Sequence, residues 1–218
     1  MRLKSYSLLY AALLAGLLPP AAPALDTLVL LDAGPPKVLL ESRKPILAET
    51  TGQVPVDFDR ALEVFSEPTL IQDVQEVYCE LIAEDGTPAI VISQSGSNTY
   101  FYVTRKGERT DITEVIRRKT DKDTFDLVFY STGRRFFGEY ETVIHVQVTD
   151  AGKESVHYKA RVYAYPENAF SRFFARHLGL VERYFRKKTA HLAEIITTVS
   201  YSLCNEAEKT SGSDVDDD

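Results

Sequence analysis

In the middle of the chain, apolar and polar positions alternate with a period of two. Over 140–149, Thr142, Ile144, Val146 and Val148 fall on one face, and Glu141, Val143, His145 and Gln147 on the other. Over 155–165, Val156, Tyr158, Ala160, Val162 and Ala164 lie opposite His157, Lys159, Arg161, Tyr163 and Tyr165. β-Branched and aromatic runs at 74–83, 89–93, 99–105, 125–131, 140–149 and 155–165 close on Gly86, Gly96, Gly107, Gly133, Gly152 and Pro166 in turn. Short strands at even spacing with turn residues between them predict an antiparallel meander. Ala160 and Ala164 are small enough for another element to pack closely on their face.

Two segments follow a helical period instead. Phe58, Ala61, Leu62 and Phe65 recur at helical spacing, with Asp57 as N-cap and Pro68 closing the segment. From Glu167 to about Cys204, apolar residues keep a three-four rhythm for roughly ten turns, with Gly179 as a place for a kink. A stripe that long must be buried, and the sheet is the available partner. Residues 111–119 suit a strand, or a short helix with Asp111 and Glu114 as a capping box. Residues 25–45 read as an arm, linker or edge strand, because Asp32-Ala-Gly-Pro-Pro36 interrupts two short apolar runs. Residues 205–218 read as a disordered acidic tail ending Asp-Val-Asp-Asp-Asp.

The fold class is therefore α+β, with about seven antiparallel strands gripping one long C-terminal helix. This order resembles the START-like helix-grip superfamily, of the polyketide cyclase and lipid-transfer type. The resemblance covers residues 46–204 as one domain. It is carried by the final strand His157-Tyr-Lys-Ala-Arg-Val-Tyr-Ala-Tyr165, the break Pro166-Glu-Asn168, and the helix opening Ala-Phe-Ser-Arg-Phe-Phe174. The chain departs from the usual pattern in showing one short helix after the first extended segment, where two are usual. The resemblance implies an apolar cavity between sheet and helix. Its expected lining is Phe129, Tyr158, Val162, Phe174, Leu178 and Phe185. The superfamily holds carriers, cyclases and binding modules, so the fold alone does not choose among them.

The 218 residues carry a net charge of −7, and a pI near 5.2 argues against a nucleic-acid partner. Residues 1–24 read as a cleaved secretory signal: Arg2 and Lys4, an apolar stretch from Ser7 to Leu18, then Ala22-Pro-Ala24. Removing it takes Arg2 and Lys4 and no acidic residue, which brings the charge from −7 to −9. That predicts an exported protein, periplasmic or extracellular. In such a compartment Cys79 and Cys204 either form one disulfide or stay as two buried thiols.

Candidate chemistry is sparse. His145 and His157 sit on adjacent strands with Glu141 nearby, a possible metal set, against the plainer reading of two partly exposed histidines. His177 and His191 share a helix face but lie about 21 Å apart. No metal and no cofactor is expected. Arg134 and Arg135 could hold an anionic head group, or be solvated turn residues. Arg172, Arg176, Arg183 and Lys187 give the helix a basic face that could meet an envelope surface or an acidic protein. With 12 Tyr and 11 Phe, aromatic rings could line a cavity or fill a core.

Three functions follow. The first is an exported binding protein holding an apolar or amphipathic small ligand between sheet and helix. The second is a non-enzymatic structural or interaction protein of the cell envelope with a filled core. The third, an enzyme, would need His145, His157 or Glu141 in a pocket, and no nucleophile and base stand at recognisable spacing.

Overall fold

The computed structural model describes residues 23–81, 91–104, 106–135, 138–167 and 180–212. Five helices are described: α1 (Pro23–Leu30), α2 (Pro35–Ser42), α3 (Phe58–Ser66), α4 (Leu70–Leu81) and α5 (Leu180–Gly212). The strands are β1 (Ile46–Val54), β2 (Ser93–Gly96), β3 (Thr99–Val103), β4 (Arg109–Asp121), β5 (Thr124–Arg135), β6 (Gly138–Asp150) and β7 (Val156–Pro166). They form one antiparallel sheet in the order β1-β7-β6-β5-β4-β3-β2. The chain runs as a meander from β2 to β7, and β1 then closes the edge against β7. Helix α5 lies across β1 and β7, with α3 and α4 beside it, so this is the α+β helix-grip arrangement.

Alternation decides which residues face the helices. Ile144 pairs with Val162, Val146 with Ala160 and Val148 with Tyr158, which puts all six on the inner face. Ala160 and Ala164 are fully buried there. Helix α3 starts where its cap requires: the Asp57 carboxylate accepts from the N–H groups of Asp59 and Arg60.

Three segments differ from the sequence reading, and a fourth, which suited either strand or helix, is decided as strand. Residues 70–81 are helix α4 rather than a strand, because Leu70, Val74 and Val77 recur at three-four spacing and the stripe buries Leu70 and Val77. The second short helix of the helix-grip order is therefore present. Residues 109–121 are strand β4, and a bulge between Glu114 and Ile116 breaks the alternation that made the segment ambiguous. Residues 25–45 contain most of α1 and all of α2: Pro35 and Pro36 open a helix, with Gly34 at φ +101° as its N-cap. Helix α5 continues past Cys204 to Gly212, so the first part of the expected tail is helical. The residues after 212, and the expected signal up to residue 22, lie outside the described residues.

Helices α1 and α2 cover the outer face of the sheet. Leu30, Leu31, Leu39 and Leu40 pack on Ile116, Val128, Val143, Tyr163 and Tyr165, and Val128, Val143 and Tyr163 have no exposed surface. Both faces of the central strands are consequently buried. That explains why β7 is buried at every position from Ala160 to Pro166.

Candidate functional site

The inner face has two ends with different chemistry. Near the β6–β7 turn, a cavity of about 170 Å³ lies between the sheet, α3, α4 and the second half of α5. Leu127 and Phe129 of β5, Val146 and Val148 of β6, and Val156 and Tyr158 of β7 form its floor. Ala61, Phe65, Leu70 and Val74 wall one side, and Ile196, Val199, Ser200 and Cys204 close it from α5.

Gly52 shapes this floor. It pairs with Tyr158 across β1 and β7, and a Cβ at position 52 would fall 2.5 Å from the Tyr158 ring. Only glycine lets the ring lie there. From that position the phenol oxygen reaches Thr197 Oγ1 at 3.0 Å and the Ala193 carbonyl at 3.3 Å on α5. The polar end of Tyr158 is thus spent on clipping the helix, and its ring is left to the cavity. Burial pushes the Cys204 thiol up to about 11, against the opposite pull of the Arg60 charge. At neutral pH it is an uncharged thiol and a poor nucleophile. Cys79 and Cys204 are both free thiols rather than a disulfide. Among the described residues no His, Asp or Glu lines the cavity. It can hold a molecule by burial.

At the opposite end of the inner face, Arg135 donates to Tyr102 Oη at 2.5 Å and to Thr110 Oγ1 at 3.0 Å. Its guanidinium also lies over the rings of Tyr102 and Tyr140. Burial first, and then the neighbouring Tyr102, push the Tyr140 phenol up to about 12. Arg134 is exposed. Adjacent residues of one strand point to opposite faces, so this pair is not brought to one site.

A second constellation is buried on the outer face. Thr27 Oγ1 lies 2.8 Å from His145 Nδ1 and 3.0 Å from Tyr163 Oη. His145 Nε2 lies 2.7 Å from Asp126 Oδ1, which also accepts from Gln147 at 3.1 Å. The order hydroxyl, imidazole, carboxylate is that of a nucleophilic triad. Here, however, Thr27 and Asp126 are 0 % exposed and His145 1 %. With the hydroxyl sealed beneath α1, the chain of bonds ties the N-terminal helix to the sheet. Desolvation alone would raise the Asp126 carboxyl. Hydrogen bonds from His145, Thr120 and Gln147, with the charge on His145, outweigh it and hold the group below the usual carboxylate range.

Of the other residues singled out in the sequence, Phe129 and Tyr158 line the cavity. Val162 and Phe185 pack together with Ala48, Tyr140 and Ala164 in a separate cluster. Phe174, Leu178, Arg172, Arg176 and His177 lie outside the described residues. Arg183 and Lys187 are exposed on α5. His157 pairs with Thr149, four residues along β6 from His145, and is exposed while His145 is buried. Glu141 accepts from Tyr130 and Arg43 instead. These three make no common site, and no metal-ligating cluster occurs among the described residues. The sequence reading puts Val199 and the Cys204 thiol on the helix stripe but not at the cavity, and it does not single out Thr27 or Asp126, which nothing local marks.

No family model and no curated protein matches the chain. Solved structures to which the chain is similar include a conserved protein from Geobacillus kaustophilus, at 8% identity and TM-score 0.46, covering 73% of this chain and 95% of that one. A point mutant of norcoclaurine synthase from Thalictrum flavum, in complex with a transition-state analogue, shares 13% identity at TM-score 0.48, over 74% of this chain and 95% of its own. A hypothetical protein from Helicobacter pylori shares 12% identity at TM-score 0.48, over 79% and 97%.

Proposed function

We propose that this chain is an exported binding protein that holds one small apolar or amphipathic molecule in the cavity between the sheet and α5, without transforming it. The supporting observation is the cavity itself: about 170 Å³, walled almost wholly by aliphatic and aromatic side chains. An apolar cavity of about 150 Å³ stays dry and takes up benzene. A molecule of one ring, or a short branched chain, is thus the class that fits. Among the described residues the lining holds no His, Asp or Glu, and its two ionisable side chains are a neutral Cys204 thiol and a Tyr158 hydroxyl bonded to α5, which supports holding rather than turnover. Export rests on the basic start, apolar stretch and small-residue site of residues 1–24.

Val199 is 2 % exposed and points from α5 into the cavity lining. Val199→Phe is expected to fill the space. Native mass spectrometry of the purified protein should then show an extra mass on the unmodified chain, lost on denaturation and missing from V199F. Far-ultraviolet circular dichroism should show the two folded alike. A bare mass for the unmodified chain, with no uptake of added toluene, would overturn the reading and favour the filled-core interaction protein.

A further inference from the structure

We infer that the ligand carries one uncharged oxygen, as a phenol, alcohol or ketone does, and that the Ser200 hydroxyl binds it inside the cavity; this rests on reading the cavity as a ligand site. Among the described residues, Tyr158, Ser200 and Cys204 bring the side-chain hydrogen-bonding groups of the lining. The Tyr158 hydroxyl is engaged by Thr197 and the Ala193 carbonyl. A thiol such as that of Cys204 is only a weak donor. Ser200 is 7 % exposed, and among the described residues its Oγ has no hydrogen-bond partner.

A serine or threonine inside a helix can satisfy itself by donating to the carbonyl four residues back. Thr189 does so on the same helix, reaching the Phe185 carbonyl at 2.9 Å. Ser200 makes no such bond, so its proton and its lone pairs are left to whatever occupies the cavity. A buried hydroxyl without a partner costs free energy that a hydrogen-bonding guest recovers and a hydrocarbon does not. The guest is uncharged because, among the described residues, no Arg, Lys, His, Asp or Glu lines the cavity to pair with an ion. Burying an unpaired charge costs far more than one hydroxyl returns. At about 170 Å³ the cavity has room for one ring and its single oxygen.

Toluene and phenol have nearly the same shape and differ by a methyl against a hydroxyl. Calorimetric titration of the full chain at pH 7 with each, repeated on Ser200→Ala, isolates the hydrogen bond. S200A is expected to weaken phenol binding about tenfold and to change toluene binding by less than about twofold. Benzoate should not bind either chain. S200A should also resist urea at least as well as the unmodified chain, because alanine favours the helix and leaves no unpaired hydroxyl. A loss of stability in S200A would show the hydroxyl already engaged within the protein and would count against the proposal. Phenol affinity unchanged in S200A, or toluene weakened as much as phenol, would remove Ser200 from the site and leave the cavity reading standing. Toluene binding without phenol binding would overturn the oxygen, and benzoate binding as tightly as phenol would overturn the uncharged class. If neither toluene nor phenol binds the unmodified chain, both the oxygen and the cavity reading fail.

Discussion

A chain that starts at Ile46 is expected to lose cooperative folding, although it keeps every strand and the long helix. Without α1 and α2, the burial of Leu30, Leu31, Leu39 and Leu40 is lost. At about 1.5 to 3 kcal/mol for each buried leucine, that is about 6 to 12 kcal/mol. A domain of this kind has only about 5 to 15 kcal/mol of net stability. The deletion also bares Val128, Val143 and Tyr163, and returns His145 and Asp126 to water at the centre of an apolar face. Urea titration followed by circular dichroism, with dye binding for exposed apolar surface, measures the effect. A chain starting at Leu25 keeps Thr27, most of α1 and all of α2, and should match the full chain. Equal stability for the Ile46 start would show that the two helices contribute nothing to the fold.

Asp126→Ala is the second large effect, at about 3 to 5 kcal/mol, because removing one partner leaves a buried imidazole without its acceptor. His145→Ala should fall in the same range, since the Asp126 carboxylate would then be stranded at 0 % exposure. The double variant D126L/H145L should recover much of the loss, because neither charged partner is left behind, Thr27 keeps Tyr163 as its partner, and Gln147 is only part-buried. The pH dependence has a definite sign. Asp126 is depressed in the folded chain below its ordinary value of 3.8, so its contribution is fully present above about pH 4. It is lost as pH falls through the folded-state value, where the unfolded chain has already taken the proton. D126L/H145L should therefore unfold less steeply with acid below pH 4. Chemical denaturation at pH 7 and at pH 3 reads both effects. Equal stability for D126A and the unmodified chain would mean that the Thr27–His145–Asp126 contacts do not hold α1 down.

The inner face was readable because it follows from alternation: Val146, Val148, Tyr158 and Ala160 face inward as the period of two requires. The Asp57 cap and the grip of the final helix were readable for the same reason, since each depends on residues within a few positions of one another. Helix α4 is not legible from residue type, because Val74, Val77 and Tyr78 have strand-forming side chains and only the three-four spacing of Leu70, Val74 and Val77 marks the helix. The Pro35-Pro36 pair breaks a helix when it lies inside one and starts a helix when it lies at the first positions, and only the fold distinguishes the two. The outer-face network joins Thr27 to His145 across 118 positions, so no local pattern could reveal it. The cavity is a difference between the volume enclosed and the side chains that fill it. Sequence composition, with its many rings, is compatible with either result.

The most direct test of the cavity as a ligand site is a methyl-resolved NMR titration of the full chain with toluene. Saturable shifts confined to Val56, Val146, Val148, Ile196 and Val199 are expected, with Val29, Val38 and Val103 on the surface unmoved. No shifts at saturating toluene, or shifts spread equally over the surface methyls, would contradict a binding cavity between the sheet and α5.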